Sequence, residues 1–395
     1  MRSQRFDNAR QARQFRLEEP PTRAPLRFHQ RLPGYEPSPL LDAPSIATAL
    51  GVGRVLVKDE SSRFGLPSFK ILGASWAVYN ALMERMGGSL PEWETFDQLG
   101  DLLSPIKPLS LAAATDGNHG RAVARMAALL DLGAHIFVPE GTSEARIDAI
   151  ASEGARVTVV DGDYDETIRR SATEASDRCL VIADTAWSGY DRVPRWIIQG
   201  YGTVLREVDD TLAARGERVD LAAAQIGVGA FACAVVQHFR SPNAAGHTAV
   251  VGVEPLDADC GLESMIAGEM VTVPGPHRSI MVGLNCGTPS PVAWPVLSRG
   301  IDLFVAIEDE RAREAMRLLA AEGIVSGESG ASGLGGLLDV LTGPSSDGAR
   351  RSLGADGGST ILVISTEGAT DPAAYLDIVG TSDGAVAARA SASGA

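Results

Sequence analysis

The feature that most constrains the fold is a regular alternation of short apolar runs and helix-length segments between residues 111 and 183. The pattern predicts strands at 111–114, 136–138, 157–160 and 180–183, with helices at 121–132, 143–152 and 166–175 between them. Connections of this length are too long for hairpins, so the strands should run parallel and be joined by right-handed crossovers. This segment is therefore predicted to form a parallel sheet with helices packed on it.

A second series of the same kind occupies the other half of the chain, and 395 residues are enough for two such domains. Its strands are predicted at 222–226, 250–253, 303–306 and 361–364, with a helix at 310–321, and a strand at 55–57 and a helix at 71–86 precede both series. We predict an α/β protein of two doubly wound domains with mostly parallel sheets. In such sheets ligands bind at the carboxyl ends of the strands, commonly in a cleft between domains.

The predicted boundaries place a large domain at 31–73 and 190–380, with a small domain at 74–189 inserted into it. Residues 1–30 carry seven arginines and few apolar residues, which indicates a solvated arm or a subunit contact. Residues 381–395 are mostly Ala, Ser and Gly, which indicates a disordered tail.

The formal net charge of −15 argues against nucleic acid or an anionic membrane as a partner, because such binding depends on Lys and Arg. A small-molecule substrate is the simpler expectation. No apolar run is long enough to span a bilayer and no secretory signal is visible, so we expect a cytoplasmic protein. The four cysteines are scattered and form no C-x-x-C pair, so neither disulfides nor a metal site is expected, and Cys286 is interpreted as a packing residue.

Lys70 lies just after a turn, at the first residues of a predicted helix. The positive end of the helix dipole, and burial between Phe69 and Trp76, would disfavour an ammonium and leave a nucleophilic amine for an aldehyde. A lysine near a helix N-terminus is more commonly a surface residue, so its position alone does not assign it.

Polar or glycine-rich segments follow several of the predicted strands. Gly227, Val228, Gly229 and Ala230 form a turn between a strand and a helix, where backbone amides can bind a phosphate, although an ordinary tight turn explains the pattern about as well. Residues 326–336 are a Gly/Ser-rich segment, interpreted as a loop that enters a helix and packs closely beside a site.

Two aspartates end strands of the same predicted sheet. Asp116 lies in the segment Thr-Asp-Gly-Asn-His-Gly with Asn118 and His119, and Asp184 follows the strand at 180–183. Two acids at one sheet edge suit proton abstraction, while helix capping is the alternative for each. No chemistry is assigned to His119 from sequence. In the other half of the chain, Ser365 and Thr366 offer hydroxyls at the end of a strand.

These segments together resemble the fold-type II pyridoxal-phosphate (PLP) enzymes and, within them, the diaminopropionate ammonia-lyases. The likeness extends over about residues 31–371 and rests on segments 58–65 leading to Lys70, 114–120, 184–187, 227–230, 283–287, 326–335 and 365–371. Related serine and threonine dehydratases typically have Arg at the position of Leu72 and Ser at that of Asp116. Both differences fit the ammonia-lyases, whereas Pro67-Ser68 before Phe-Lys departs from their usual Asn-Ala.

The resemblance implies that Lys70 holds PLP as a Schiff base, and that the amides of residues 227–230 bind its phosphate. It further implies that Asn118 hydrogen-bonds the ring's phenolic oxygen and that Thr366, or less favourably Ser365, meets the pyridine nitrogen. Asp116 and Asp184 would act on opposite faces of the substrate, so that both D and L forms of 2,3-diaminopropionate lose ammonia and yield pyruvate. A homodimer is also implied.

Other functions remain open at this point. A serine or threonine dehydratase or a β-replacement enzyme would use the same cofactor. A nucleotide-dependent oxidoreductase built on the glycine turn would use a different one and would leave Lys70 without a role. A PLP-binding protein without catalysis is the last alternative.

Overall fold

The computed structural model describes residues 2–88, 90–115, 117–162, 164–244 and 246–393. The strands are β1 (Ser3–Asp7), β2 (Leu40–Asp42), β3 (Arg54–Asp59), β4 (Ser110–Ala114), β5 (Gly133–Pro139), β6 (Arg156–Val160), β7 (Cys179–Val181), β8 (Leu221–Gln225), β9 (Ala249–Pro255), β10 (Leu303–Ile307) and β11 (Thr360–Ser365).

The helices are α1 (Ala9–Ala12), α2 (Ala24–His29), α3 (Pro44–Leu50), α4 (Lys70–Arg85), α5 (Phe96–Leu102), α6 (Asn118–Leu129), α7 (Glu144–Ala151), α8 (Tyr164–Ala172), α9 (Arg192–Arg215), α10 (Ala230–Phe239), α11 (Cys260–Ala267), α12 (Trp294–Gly300), α13 (Asp309–Ala321), α14 (Glu328–Thr342), α15 (Ser346–Leu353), α16 (Pro372–Val379) and α17 (Asp383–Ser393). Short 3₁₀ turns lie at Ser104–Ile106 and Val282–Leu284. No helix in the described ranges is both long and apolar enough to cross a membrane.

The chain divides into two compact units. The larger unit comprises Met1–Pro21, Pro37–Ser62 and Val204–Ala395, and the smaller unit comprises Thr22–Glu36 and Arg63–Thr203. Residues 31–36, 63–73 and 190–203, assigned to the large domain from sequence, thus fall in the smaller unit. The last two stretches belong there because α4 and the first part of α9 pack closely: a Cβ on Gly200 would lie 2.3 Å from the Leu72 carbonyl oxygen.

The smaller unit contains a four-stranded sheet in the order β6-β5-β4-β7, in which all the neighbouring strands pair in parallel. The larger unit contains a seven-stranded sheet in the order β1-β10-β9-β8-β11-β3-β2. Its inner strands are parallel, and the edge strands β1 and β2 are antiparallel to their neighbours. The predicted α/β class with mostly parallel sheets is confirmed.

Helix α14 occupies the Gly/Ser-rich segment from Glu328 onward, so the predicted loop is confined to residues 326 and 327, whereas the predicted close packing of its backbone is present. Residues 328–341 are all buried, although glycine is a poor helix former. Close packing explains the composition, because a Cβ on Gly336 would lie 2.4 Å from a Val253 methyl group and one on Gly335 would lie 2.9 Å from the Arg311 carbonyl oxygen. The glycines let the helix lie directly against β9 of the larger sheet.

The two ends of the chain are more ordered than the sequence indicates. Strand β1 pairs with β10 and covers that edge of the sheet, and Arg5 forms an ion pair of 2.6 Å with the buried Asp339. Helix α17 takes up most of the segment predicted to be disordered, which accords with the strong helix propensity of alanine, and Val386 is buried within it.

Candidate active site

Lys70 is the first residue of α4 in the smaller unit, and two aromatic rings lie near its amine. Its side chain is 21% exposed, and its Nζ lies 5.8 Å from the ring centre of Phe69 and 6.0 Å from that of Tyr201. The start of α4 is fixed by close contact with α9, since a Cβ on Gly73 would lie 2.4 Å from the Tyr201 ring. Lys70 is therefore held on a rigid helix and is mostly shielded from water, unlike a typical surface lysine.

Asp184 lies beside this amine. It is 5% exposed, its Oδ2 is 3.3 Å from Lys70 Nζ, and its Oδ1 accepts a hydrogen bond of 3.0 Å from the Tyr164 hydroxyl. Burial favours the neutral acid, but the charges of Lys70 and His119 and the Tyr164 hydrogen bond outweigh it and lower the pKa of Asp184. This carboxylate in turn favours a charged Lys70, against the expectation that burial and the helix dipole would leave a neutral amine. A carboxylate and an ammonium this close are suited to moving a proton between them.

Tyr190 fixes the segment that carries Asp184. Its hydroxyl donates to the Val181 carbonyl oxygen at 2.7 Å and accepts from the Ala183 N–H at 3.0 Å, and its ring stacks on Trp187 with centroids 4.1 Å apart. These contacts hold both sides of Asp184 and so limit the positions that its carboxylate can take.

The Thr-Asp-Gly-Asn-His-Gly segment joins β4 to α6. Asp116 lies outside the described residues. The Thr115 hydroxyl accepts hydrogen bonds from the N–H groups of Gly117 (2.9 Å) and Gly120 (3.0 Å), and Asn118 begins α6. His119 Nε2 lies 2.7 Å from the carbonyl oxygen of Ile182, two residues before Asp184. His119 therefore ties this segment to the strand end that carries the acid.

The structure thus places Lys70 and Asp184 beside each other. It also adds Tyr164 and His119, which sequence reasoning missed or left without a role. Tyr164 carried no motif, because it lies 20 residues before Asp184 and only the fold brings the two together. The only available signal for His119 was its place in a segment dense in polar groups.

The glycine turn of the larger unit follows β8 and opens α10. Gly229 has φ +91°, and a Cβ there would lie 2.5 Å from a Leu297 methyl group, so glycine is required for both conformation and space. Within the described part of the chain, the N–H groups of residues 227–230 donate no hydrogen bond. Four amides at the positive end of a helix can together bind an anion such as a phosphate.

Two buried thiols pack around this turn. Cys286 Sγ lies 3.3 Å from where a Gly227 Cβ would be, and Cys260 Sγ lies 3.9 Å from the Gly227 carbonyl oxygen. Burial raises the pKa of Cys260 well above its ordinary value, which makes it unreactive. The interpretation of Cys286 as a packing residue agrees with this position.

The two hydroxyls after β11 differ in their surroundings. Ser365 is fully buried and its Oγ donates to Ser326 Oγ at 2.8 Å, so this hydroxyl is engaged within the fold. Thr366 is 6% exposed and lies just beyond the end of the strand. Of the two, Thr366 is the better placed to meet a ligand.

Comparison with known proteins supports the same chemistry. The family model described as "Pyridoxal-phosphate dependent enzyme" matches residues 31–366. The chain is 38% identical to diaminopropionate ammonia-lyase of Escherichia coli (strain K12) over 366 residues, which is 91% of each chain. It is 36% identical to the enzyme of the same name from Salmonella typhimurium, over 90% of each.

A solved structure matches the fold closely. The crystal structure of the Escherichia coli ammonia-lyase, in complex with an aminoacrylate–PLP azomethine reaction intermediate, aligns with a TM-score of 0.83 and 34% identity. The alignment covers 96% of this chain and 97% of that one.

Proposed function

Because the chain belongs to the diaminopropionate ammonia-lyase family of PLP-dependent enzymes, we propose that it eliminates ammonia from 2,3-diaminopropionate. Elimination would release the β-amino group as the first ammonia. Hydrolysis of the remaining product would then give pyruvate and a second ammonia. The observation that carries the proposal is the pair of Lys70 and the buried Asp184, with 3.3 Å between amine and carboxylate, in a chain with this family relationship.

The residues present fit the cofactor. The glycine turn offers amides that have no acceptor among the described residues, and no side chain larger than hydrogen fits at Gly229. We propose that residues 227–230 hold the phosphate, that Lys70 holds the aldehyde end covalently, and that Asn118 hydrogen-bonds the phenolic oxygen. Thr366 would meet the pyridine nitrogen, since the Ser365 hydroxyl is already bonded to Ser326.

When bound, PLP supplies an electron sink for the carbanion at Cα, and a hydroxyl at its ring nitrogen limits that sink and favours elimination. Asp184 would accept the α-proton on one face of the substrate. Tyr164, by donating to the other carboxylate oxygen, would hold Asp184 ionised and oriented. Asp116 would serve the opposite face, so that both enantiomers react, and its charge would also attract a cationic β-ammonium group. Acid–base help of this kind contributes about 100- to 10,000-fold to a rate.

The experiment is a product analysis with the purified protein. D- and L-diaminopropionate and L-serine are supplied separately, and ammonia and pyruvate are assayed while the visible absorbance is followed. The proposal predicts two ammonia for each pyruvate from either enantiomer of diaminopropionate. Preferential turnover of serine, with one ammonia for each pyruvate, would instead identify a dehydratase. A colourless protein that binds NAD would identify an oxidoreductase.

We also propose that the protein works as a homodimer in the cytoplasm and that its substrate is a small amino acid. Light scattering of the purified protein and fractionation of the source cells test these two points separately. A monomer at assay concentration would refute the first, and recovery with an envelope fraction would refute the second.

A further inference from the structure

Glu367, the residue after Thr366, accepts hydrogen bonds from the start of helix α14. Glu367 is 4% exposed, its Oε1 accepts from the Ser329 N–H at 3.1 Å, and its carbonyl oxygen accepts from the Gly327 N–H at 3.0 Å. The first turn of α14 is thus bound by both the side chain and the backbone of one residue. The helix and Glu367 are in close contact, because a Cβ on Gly330 would lie 2.6 Å from the Glu367 carbonyl oxygen.

Ser329 continues the connection towards the glycine turn. Its Oγ accepts a hydrogen bond of 3.0 Å from the Gly283 N–H, in the 3₁₀ turn Val282–Leu284. That 3₁₀ turn packs against Gly227, since a Cβ on Gly227 would lie 3.0 Å from the Gly283 carbonyl oxygen and 3.3 Å from Leu284 Cα. A chain of contacts therefore runs from Glu367 through Ser329 and Gly283 to Gly227.

Gln225 makes a second connection between the same two places. Its amide nitrogen donates to the carbonyl oxygens of Gly330 (2.9 Å) and Ile364 (2.8 Å), and the residue is 3% exposed. Gln225 precedes Gly227 by two residues, and Ile364 precedes Thr366 by two. The glycine turn and the end of β11 are thus connected twice. One connection passes through the first turn of α14, and the other is made directly by Gln225, which also bonds that turn.

We propose that Glu367 is a positioning residue that sets the separation between the Thr366 hydroxyl and the amides of residues 227–230. This inference rests on the proposed function, in which these groups meet opposite ends of one PLP molecule. Glu367 and Ser329 would preorganise the two ends, so that the cofactor binds without reordering the loops. Glu367 itself need not touch the cofactor.

The test compares Glu367→Ala, Glu367→Gln and Ser329→Ala with the control Asp339→Asn. Asp339 is a buried acid on the same helix, near its other end, and pairs with Arg5 instead of bracing the site. PLP is titrated into each apoprotein, and the visible spectrum at saturating PLP and the thermal midpoint of each apoprotein are recorded.

We expect Glu367→Ala to weaken PLP binding roughly tenfold, as loss of a buried acceptor for the Ser329 N–H implies. Its spectrum at saturation should also shift, because the Thr366 hydroxyl moves relative to the ring. Glu367→Gln keeps one acceptor and should restore part of the affinity, and Ser329→Ala should weaken binding to a smaller degree. The control should lose thermal stability while keeping the wild-type affinity and spectrum.

Wild-type affinity and spectrum in a folded Glu367→Ala protein would overturn the proposal. If Glu367→Ala does not fold, Ser329→Ala serves as the test, and an unchanged PLP affinity of Ser329→Ala would equally overturn the proposal. A wild-type protein that binds no PLP refutes the proposed function itself, which distinguishes the two failures.

Discussion

Glu254 gives a quantitative prediction for stability, because it is a completely buried acid. It lies in β9, and its two carboxylate oxygens accept from the N–H groups of Gly261 (2.7 Å) and Leu262 (2.8 Å) in the first turn of α11. Burial is the main cause that raises the pKa of Glu254 to about 8, and the two amide hydrogen bonds only partly oppose it. At neutral pH this side chain is therefore mostly protonated in the folded protein.

The sign of the pH dependence follows from the raised pKa. The folded state binds the proton more tightly than the unfolded chain, whose glutamate has an ordinary value of 4.5. The contribution to stability is thus fully present below about pH 4.5 and is lost as pH rises through about 8. The interval of about 3.5 pH units, at about 1.4 kcal/mol per unit, corresponds to about 5 kcal/mol of folding free energy.

Glu254→Gln isolates this contribution, because glutamine resembles the protonated acid and does not titrate. The unfolding free energy of the variant minus that of the wild type should rise by roughly 1.4 kcal/mol per pH unit between about pH 5 and 8, and level off above that. Urea unfolding of both proteins at a series of pH values measures the difference. Glu269→Gln, which removes an exposed charge just beyond α11, is the matched control and should show a flat difference. A difference for Glu254→Gln that is also independent of pH would refute the reasoning.

Three further predictions concern the reacting groups. Asp184→Asn should lower kcat/KM by about 100- to 10,000-fold for one enantiomer of diaminopropionate, and Asp116→Asn for the other; equal losses in both enantiomers for both variants would rule out two bases acting on opposite faces. Tyr164→Phe removes a hydrogen bond that lowers the pKa of Asp184, so the acid limb of the pH–rate profile should move to higher pH, and an unmoved limb would exclude this role. Thr366→Ala should change the visible spectrum of the bound cofactor at saturating PLP, whereas Ser365→Ala should lower thermal stability and leave that spectrum intact; the reverse pattern would exchange their assignments.

The parallel sheets were predictable from sequence because their signal is local. Strands β4, β5 and β6 lie within three residues of the predicted bounds, since each is a short apolar run separated from the next by a helix of ordinary length. Strand β1 could not be found in this way. Its residues alternate poorly and it is stabilised by pairing with β10, which is about 300 residues away in the chain.

Helix α14 shows a different limit. The low helix propensity of its glycines predicts a loop, and only the close approach of β9 and α13 makes a glycine-rich helix favourable. The same holds for the candidate site: Lys70 and Asp184 were predicted from their places at an element start and a strand end. The contacts of Tyr164 with Asp184 and of Glu367 with Ser329 join residues that are well separated in the chain, so no local sequence pattern predicts them.

The identity of the amine that carries the cofactor is tested most directly by trapping it. The purified holoenzyme is reduced with borohydride and digested, and the peptide that bears the reduced pyridoxyl group is sequenced by mass spectrometry, with Lys70→Ala treated in parallel. The modification should fall on Lys70 alone, and the variant should carry none and show no turnover of diaminopropionate. A modified lysine elsewhere, or an unchanged visible spectrum in Lys70→Ala, would contradict the assignment on which the proposed reaction depends.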